Sequence, residues 1–376
     1  MIMKKYMFFA VVALVASAAC TKVEDTTPAR KISFEVANYV AQTKVQANND
    51  ELGGSFTTNA WFTNGDGTKT RFMSSETITW NTPISGQWAP SREYFWPKTG
   101  YIDFYSYDGV PAPTTAAEGS LIYNATSTAI AATDNILVAD AAFHQTENGT
   151  TYQVDGNSVK GVPTLFRHML AKIHFTVKVA TTNEKKTPNT KWTVTILNTT
   201  GKESNLVVYN KGTLTLTNTY AGSTATTQAW TNAGTNHNVG WVASGTETLD
   251  FLTPAALVMA KNTISSGDPV DLLALRSIMP QVLDDNAVFT LHYNVKATYV
   301  DPNTGDETTY LDENREITLK INTIKNSSSV AITEWDMNQI ITYNVVIDPV
   351  GQQILFDPAV EEWDETQTGT INVPQA

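Results

Sequence analysis

Apolar and polar residues alternate with a period of two along much of the chain. The longest run extends from Phe289 to Tyr299, where every second residue is Phe, Leu, Tyr, Val, Ala or Tyr and the positions between are polar. Segments 31–36 and 172–179 repeat this alternation with Ile, Phe and Val. Successive side chains of a strand point to opposite faces of a sheet, so this period predicts strands with one buried face.

Shorter alternating runs occur at 192–196, 214–216, 317–321 and 343–347. Turn residues separate the runs, as in Asn64-Gly65-Asp66-Gly67, Asp108-Gly109 and Asp301-Pro302-Asn303-Thr304-Gly305. Gly and Asn tolerate positive φ and therefore favour tight reversals between strands. Short strands and turns at this spacing predict an all-β protein built from antiparallel β-sandwiches.

Two segments depart from the alternation. Pro269 to Ser277 is the best candidate for a helix, although it is short and can equally form a strand. The segment 222–238 is rich in Ser, Thr, Asn and Gly and is expected to be a long surface loop.

The length of 376 residues exceeds what one hydrophobic core usually serves, so two domains are expected. Charged residues make up only 16% of the chain, which suits strands and turns more than helices. The turn-rich segment 148–162 is the expected place of division. We therefore predict an N-terminal β-sandwich over 31–160 and a C-terminal β-sandwich with a tail strand over 161–376.

The first residues have the parts of an export signal. Lys4 and Lys5 precede an apolar run that is shorter than the roughly 20 residues needed to cross a bilayer, and small residues follow. We predict a lipoprotein signal peptide over 1–19, acylation of Cys20 and a linker over 20–30. Ser17 departs from the Leu or Val that a bacterial lipobox usually has, so a plain signal peptide ending at Cys20 is the alternative. Because Cys20 is the single cysteine, the composition excludes an intramolecular disulfide.

The net charge is −12 at pH 7, and no basic stripe interrupts the acidic balance. A polyanion repels a phosphate backbone, so nucleic acid is not expected as a partner.

The chain contains no phosphate loop, no His-Glu-x-x-His helix motif and no nucleophile elbow. Its five histidines are scattered, and those at 174 and 292 fall on the polar side of predicted strands. The acids at 361, 362, 364 and 365 predict a solvated run in a charged tail rather than a glycosidase pair. The 301–307 segment predicts a hairpin turn rather than a calcium loop. The sequence therefore predicts no catalytic residues, no cofactor and no metal.

Several motifs resemble those of the fimbrillin-like (Mfa-like) type V pilus subunits and surface adhesin lipoproteins of the Bacteroidetes. The motifs are Tyr94-Phe95-Trp96-Pro97 with the aromatic strand 101–107, the His-containing segment 165–173, Ser277-Ile278-Met279-Pro280-Gln281, the Trp335…Asn338…Tyr343 strand and Trp363. They occur in the same order as in that family and span nearly all of the chain after the leader.

This resemblance implies two transthyretin-like sandwiches, export to the outer membrane and a role as a pilus subunit or adhesin, without cofactor. It also implies assembly by strand exchange. In that mechanism a protease removes the lipidated N-terminal strand, and a strand from a neighbouring subunit fills the exposed groove by β-augmentation.

Two basic residues are candidate processing sites. A cut at Arg30 leaves the predicted strand 31–36 in place, whereas a cut at Lys44, in the polar segment 42–50, releases it. The sequence does not choose between the two sites or exclude a protein that is never processed. The C-terminal segment Thr366 to Val373 is a candidate donor strand for a neighbour.

Two alternatives remain at this point. The protein can be an anchor, tip or stand-alone adhesin that keeps its lipid on Cys20. From a different class, it can be a surface glycan-binding lipoprotein of a polysaccharide-uptake system. In that case several of the nine tryptophans should lie exposed on one face, with Trp88, Trp230 and Trp241 the least strand-like.

Overall fold

The structure is a computed structural model that describes residues 30–38, 52, 54–81, 87–109, 115–117, 120–124, 129–139, 141–148, 153–154, 157–158, 161–180, 188–197, 206–218, 237–249, 251, 257–259, 269–326, 329–350 and 353–362. Regular structure in these residues is almost entirely strand, with one 3-10 turn at Ile321–Thr323. The predicted all-β class is confirmed. The predicted signal peptide, Cys20, Lys44 and the candidate donor strand lie outside the described residues.

The first half of the chain contains strands β1 to β12. Their bounds are β1 Phe34–Asn38, β2 Ser55–Thr63, β3 Lys69–Asn81, β4 Gln87–Pro90, β5 Tyr101–Gly109, β6 Thr115–Ala117, β7 Ser120–Asn124, β8 Ile136–Ala139, β9 Ala142–Gln145, β10 Gln153–Val154, β11 Asn157–Ser158 and β12 Val162–His168.

The second half contains strands β13 to β24. Their bounds are β13 Ala171–Val179, β14 Thr190–Ile196, β15 Val207–Asn218, β16 His237–Thr248, β17 Leu257–Met259, β18 Val270–Ile278, β19 Gln281–Val282, β20 Val288–Val300, β21 Glu307–Lys320, β22 Glu334–Trp335, β23 Gln339–Asp348 and β24 Gln353–Glu362.

In the N-terminal part of the chain, eight strands form one sheet in the order β2-β3-β4-β1-β12-β8-β5-β9. Because β2 also pairs with β5, the sheet closes into a ring, and β9 adds to β5 outside it. Closure removes the free edges that an open sheet would present. The ring encloses an aromatic core, whose rings meet edge to face or tilted: Phe34, Phe56, Trp88, Trp96, Phe104 and Phe166.

In the C-terminal part of the chain, two four-stranded sheets pack on one hydrophobic core as a sandwich. Their orders are β18-β13-β23-β24 and β17-β14-β20-β21. Phe175 of β13 lies 5.4 Å from Phe289 of β20 and stacks on Tyr343 of β23 at 4.6 Å, so the aromatic rings connect the two layers. The Trp335 indole donates a hydrogen bond to the Tyr343 hydroxyl at 2.9 Å inside this core. Burial raises the pKa of Tyr343, so the hydroxyl stays protonated at physiological pH.

Among the strands that the structure describes, two neighbouring pairs are parallel and the other pairs are antiparallel. In the N-terminal ring β1 runs parallel to β12, and in the C-terminal sandwich β13 runs parallel to β23. Both pairs join segments far apart in sequence. A parallel pair cannot be made by a tight hairpin, so the local turn signals did not indicate these partners.

Strands from both halves of the chain meet at the junction between the domains. Strand β7 pairs with β15, and β12 belongs to the N-terminal ring although it follows residue 160. The backbone N–H of Ser277 donates to the Ala132 carbonyl at 2.8 Å across this junction. The division at 160 stays a prediction, but the chain passes between the two sheet systems more than once.

Local predictions can be compared with these elements. The Phe289–Tyr299 run is a strand whose apolar face is buried from Phe289 to Ala297, and the 64–67 and 301–305 turns join β2 to β3 and β20 to β21. The ambiguous segment from Pro269 is strand β18, which pairs with β13. The last two residues of the expected 222–238 loop begin β16, and the rest lies largely outside the described residues.

Candidate functional site

The first strand of the N-terminal ring is the feature with the clearest functional meaning. Strand β1 lies between β4 and β12. It pairs with β12 over five residues, from Phe34 opposite Val162 to Asn38 opposite Phe166, but with β4 only where Phe34 faces Trp88. The ring therefore depends on a short segment close to the predicted anchor for its closure.

The apolar side chains of this segment fill the ring interior. Ile32, Phe34 and Val36 are 2%, 1% and 8% exposed. The Phe34 ring meets those of Phe56 and Phe104 edge to face, with centroids 5.8 and 5.4 Å away. The apolar face predicted for 31–36 is buried and forms the centre of this core. The strand itself begins at Phe34, and Ser33, on the predicted polar face, is buried as well.

Gly161 lets the backbone of β1 approach β12 closely. A Cβ atom at this position would lie 2.5 Å from the carbonyl carbon of Phe34 and 2.8 Å from the Glu35 nitrogen. The next residue, Val162, donates its N–H to the Ser33 carbonyl at 2.8 Å. Glycine is required here because no side chain fits between the two backbones.

The segment before β1 lies along the Trp-Pro motif. The Ile32 N–H donates to the Tyr94 carbonyl at 2.8 Å, and the Trp96 N–H donates to the Arg30 carbonyl at 3.0 Å. Tyr94 is itself held by its hydroxyl, which donates to the buried Glu76 carboxylate at 2.9 Å. Burial is the largest cause that raises the pKa of Tyr94, and the hydrogen bond to Glu76 raises it further. The motif that carried the resemblance is therefore a docking edge for the N-terminal segment.

Of the predicted site residues, only Arg30 lies in the described part of the chain. Its side chain is 58% exposed and forms an ion pair with Glu147. It precedes β1, so a cut after Arg30 leaves all of β1 in the ring. Lys44 falls in sequence between the end of β1 at Asn38 and the start of β2 at Ser55.

Sequence reasoning did not find Gly161 or β12 as parts of this site. Gly161 lies at the end of the turn-rich 148–162 segment, which predicts a domain division, and β12 begins at the last residue of that segment. A glycine directly before an apolar run was the available signal, because such a glycine can mark a close backbone approach.

The described histidines are part of the fold. His168 is buried with its Nδ1 2.7 Å from the Asn135 side-chain oxygen. As predicted, His174 and His292 are only half-buried on their strands, facing Asp271 and Glu316. Burial lowers the pKa of His144, which packs on the Tyr101 ring at 3.9 Å. Within the described ranges, no three His, Cys, Asp or Glu side chains are grouped so that they could hold a metal.

The structure places part of the acidic cluster and the acidic turn that the sequence analysis singled out. Glu361 and Glu362 are the last residues of β24, paired with Ile340 and Gln339, so they belong to a strand and not to the expected tail. In the 301–305 hairpin the Asp301 carboxylate accepts the backbone N–H of Asn303 at 2.7 Å, as a turn-capping residue does.

Seven of the nine tryptophans lie in the described residues, and none of these is fully exposed. Trp61, Trp88, Trp96, Trp192 and Trp335 are buried, whereas Trp80 and Trp241 are half-buried. Trp88 and Trp241 were expected to be the least strand-like, and that expectation is wrong because they lie in β4 and β16. Trp230 lies outside the described residues.

Among the residues that the structure describes, no helix has the length and apolar character needed to cross a membrane.

Comparison with known proteins finds similarity at the level of structure only. No protein-family model matches the sequence, and no curated protein matches it. A fimbrial protein from Bacteroides vulgatus is 16% identical with a TM-score of 0.47, over 89% of this chain and 99% of that one. The tip fimbrial protein Mfa3 from Porphyromonas gingivalis, with a C-terminal truncation, is 12% identical with a TM-score of 0.31, over 82% of this chain and 94% of that one.

Proposed function

We propose that the protein is a non-enzymatic fimbrial subunit or surface adhesin, exported as an outer-membrane lipoprotein through Cys20 and presented at the cell surface. Its partners are other pilus subunits, which join it by strand exchange, and a host or bacterial surface ligand. The observation that carries the proposal is the position of β1, a short N-terminal strand that completes a closed ring and its core.

The location of β1 supports Lys44 as the processing site in this proposal. Cleavage at Arg30 leaves Ile32, Phe34 and Val36 in the ring, whereas cleavage at Lys44 separates them from the rest of the domain. Loss of β1 then leaves the backbone of β12 without its parallel partner from Val162 onward. A strand from a second subunit can pair with this edge, which is the chemistry of β-augmentation.

The free energy of β1 binding to the ring is consistent with a strand that is stably bound but can be replaced. Burial of three apolar side chains at roughly 1.5–3 kcal/mol each contributes on the order of 5–9 kcal/mol before ordering costs are subtracted. The Arg30–Glu147 and Lys31–Glu93 ion pairs are exposed and add little. In addition, the buried Ser33 hydroxyl has no hydrogen-bond partner within the described residues, a desolvation cost that another strand can avoid.

The polymerising subunit and the permanently anchored adhesin differ at the N-terminus. We expect mass spectrometry of the protein from native outer membranes to find assembled molecules that begin at Val45. Assembled molecules that begin at Lys31, or that retain acylated Cys20, would contradict cleavage at Lys44. The second result would favour an anchor, tip or stand-alone adhesin.

The glycan-binding alternative depends on a flat face of exposed tryptophans. The described tryptophans give it no support, because five are buried and the other two are half-buried. The proposal of a subunit or adhesin is therefore the one that the geometry supports best.

A further inference from the structure

Asn148 makes three hydrogen bonds at the point where the N-terminal segment enters the ring. Its Nδ2 donates to the Lys31 carbonyl at 2.8 Å, and its Oδ1 accepts the Ser33 N–H at 3.3 Å. The same Oδ1 accepts the Trp96 indole N–H at 3.0 Å. One carboxamide thus bonds a backbone carbonyl and a backbone N–H of the incoming segment, as a neighbouring strand would.

The indole of Trp96 sets the orientation of the carboxamide. An indole nitrogen can only donate, so the Asn148 group facing it must be the oxygen, and the amino group is directed to Lys31. Trp96 is buried in the ring core, so this orientation is built into the domain. The Asn148 carboxamide is therefore arranged before any particular strand binds.

These contacts involve only backbone atoms of the bound segment, so they do not depend on its side chains. This matters because the candidate donor, Thr366 to Val373, has Ile371 and Val373 at alternate positions, where the resident strand has Ile32, Phe34 and Val36. A strand with fewer apolar side chains depends more on backbone hydrogen bonds for its affinity.

We propose that Asn148 is a positioning residue, a clasp that binds the backbone of whichever strand fills the groove between β4 and β12. It retains residues 31–33 of the resident strand and later receives the strand of a second copy of this chain. The inference rests on the proposed strand exchange and adds the residue that controls how long each strand stays bound.

The test uses the full chain after the predicted signal, with a site-specific protease sequence placed within 42–50. After cleavage, the release of the fragment is followed over time by size exclusion and mass spectrometry. Uptake of labelled peptides with the sequences 30–44 and 366–376 is measured on the same sample. In Asn148→Ala we expect fragment release to be faster by about tenfold, because two backbone hydrogen bonds are lost, and peptide uptake to be weaker by a similar factor.

The matched control is Asn59→Ala. Asn59 is a buried asparagine of the N-terminal ring, whereas Asn148 is half-buried. The Asn59 Oδ1 accepts the Ser75 N–H at 2.8 Å and a hydrogen bond from Arg71, away from β1. We expect this variant to have a lower melting temperature than the wild type. When each protein is measured at the same number of degrees below its own melting temperature, the rate of fragment release should stay within about twofold of the wild-type rate.

Asn148→Asp tests the role of the amino group without removing the side chain. An ionised carboxylate can accept from Ser33 and Trp96 but repels the Lys31 carbonyl, whereas a protonated carboxyl can donate to it. Release from this variant, relative to wild type at the same pH, should be fast at about pH 7 and slow down toward about pH 4, across the ordinary aspartate range. This pH dependence tests the proposal even if the Asn148→Ala variant does not fold.

The outcomes separate the two proposals. If wild-type protein neither releases the cleaved fragment nor takes up either peptide, the proposed strand exchange is wrong. If wild type exchanges strands and both Asn148 variants behave like Asn59→Ala at every pH, strand exchange stands and the clasp is wrong.

Discussion

Individual polar side chains inside the N-terminal ring differ in whether they have hydrogen-bond partners. Asp103 is buried and accepts the His144 N–H at 2.7 Å, and Glu76 accepts from the hydroxyls of Ser91 and Tyr94. The Ser33 hydroxyl has no such partner among the residues that the structure describes. Burying a polar atom without a hydrogen bond destabilises the fold by more than a buried hydrogen bond stabilises it. The fold is therefore locally less stable at Ser33 than at Asp103 and Glu76.

Asp108 provides a pH-dependent prediction. Burial raises its pKa above the ordinary value of 3.8, and the Gly109 N–H only partly opposes this. The folded protein therefore binds a proton more readily than the unfolded chain, and the charged form lowers stability at neutral pH. We expect Asp108→Asn to raise the free energy of unfolding at pH 7. The gain should shrink as pH falls through the raised pKa and disappear below 3.8. Urea unfolding of both proteins across this pH range measures it, and a pH-independent gain would show that charge is not the cause.

At the scale of elements, the fold depends on which segments lie side by side. Strand β1 is short and pairs with β4 at a single position, so its retention depends on β12, the Trp-Pro edge and its own apolar side chains. The hairpins β2–β3 and β20–β21 have long antiparallel registers and turns of their own. The registers of β1 are therefore shorter than those of the two hairpins.

Gly161→Ala tests the close approach of β1 to β12. The added Cβ would meet the Phe34 backbone at 2.5 Å, so the two strands must separate. We expect a loss of about 1–3 kcal/mol in stability of the N-terminal ring, as for an overpacked core, measured by denaturant unfolding.

Gly65→Ala is the control for that substitution. A Cβ at Gly65 meets nothing within 4 Å, so its stability should stay within about 0.5 kcal/mol of the wild type. Equal effects of the two substitutions would contradict a specific contact at Gly161.

At the scale of the whole molecule, a cluster of apolar side chains joins the two domains. It comprises Tyr107, Ile130, Ile136, Val138, Met169, Leu170, Leu214 and Met279. The indole of Trp241 in β16 donates to the Met169 carbonyl at 2.9 Å beside it. Backbone hydrogen bonds from Ile130 to Asn210 and from Ser277 to Ala132 cross the same junction. The domains are thus expected to unfold cooperatively.

Leu170→Ala tests this coupling. The side chain is fully buried in the cluster, so its truncation should cost about 2–5 kcal/mol. Hydrogen exchange should show lost protection on both sides of the junction, in β8 and in β15. Leu275→Ala, at an exposed position on β18, is the control and should be nearly neutral. Loss confined to one domain would contradict cooperative unfolding.

Much of the local structure could be predicted from particular residues. The alternation at 31–36, 172–179 and 289–297 identified strands and their buried faces, and the Gly-containing turns identified hairpins. The prediction that Trp88 is not in a strand was wrong because β4 is only four residues long, too short to show a period. The segment from Pro269 stayed ambiguous because its buried and exposed residues do not alternate one by one. Its pairing with β13 is irregular, and this pairing decides which of its side chains are buried.

By itself, the sequence determined the all-β class, the position of many strands and the acidic net charge, because each follows from local pattern or composition. Only the tertiary structure decided that β1 lies parallel to β12, that the ring closes through β2 and β5, and that Asn148 contacts Lys31, 117 positions away. Side-chain periodicity specifies which face of a strand is buried. It does not specify the neighbouring strand, because many pairings bury the same face and only the packing of the whole core selects one.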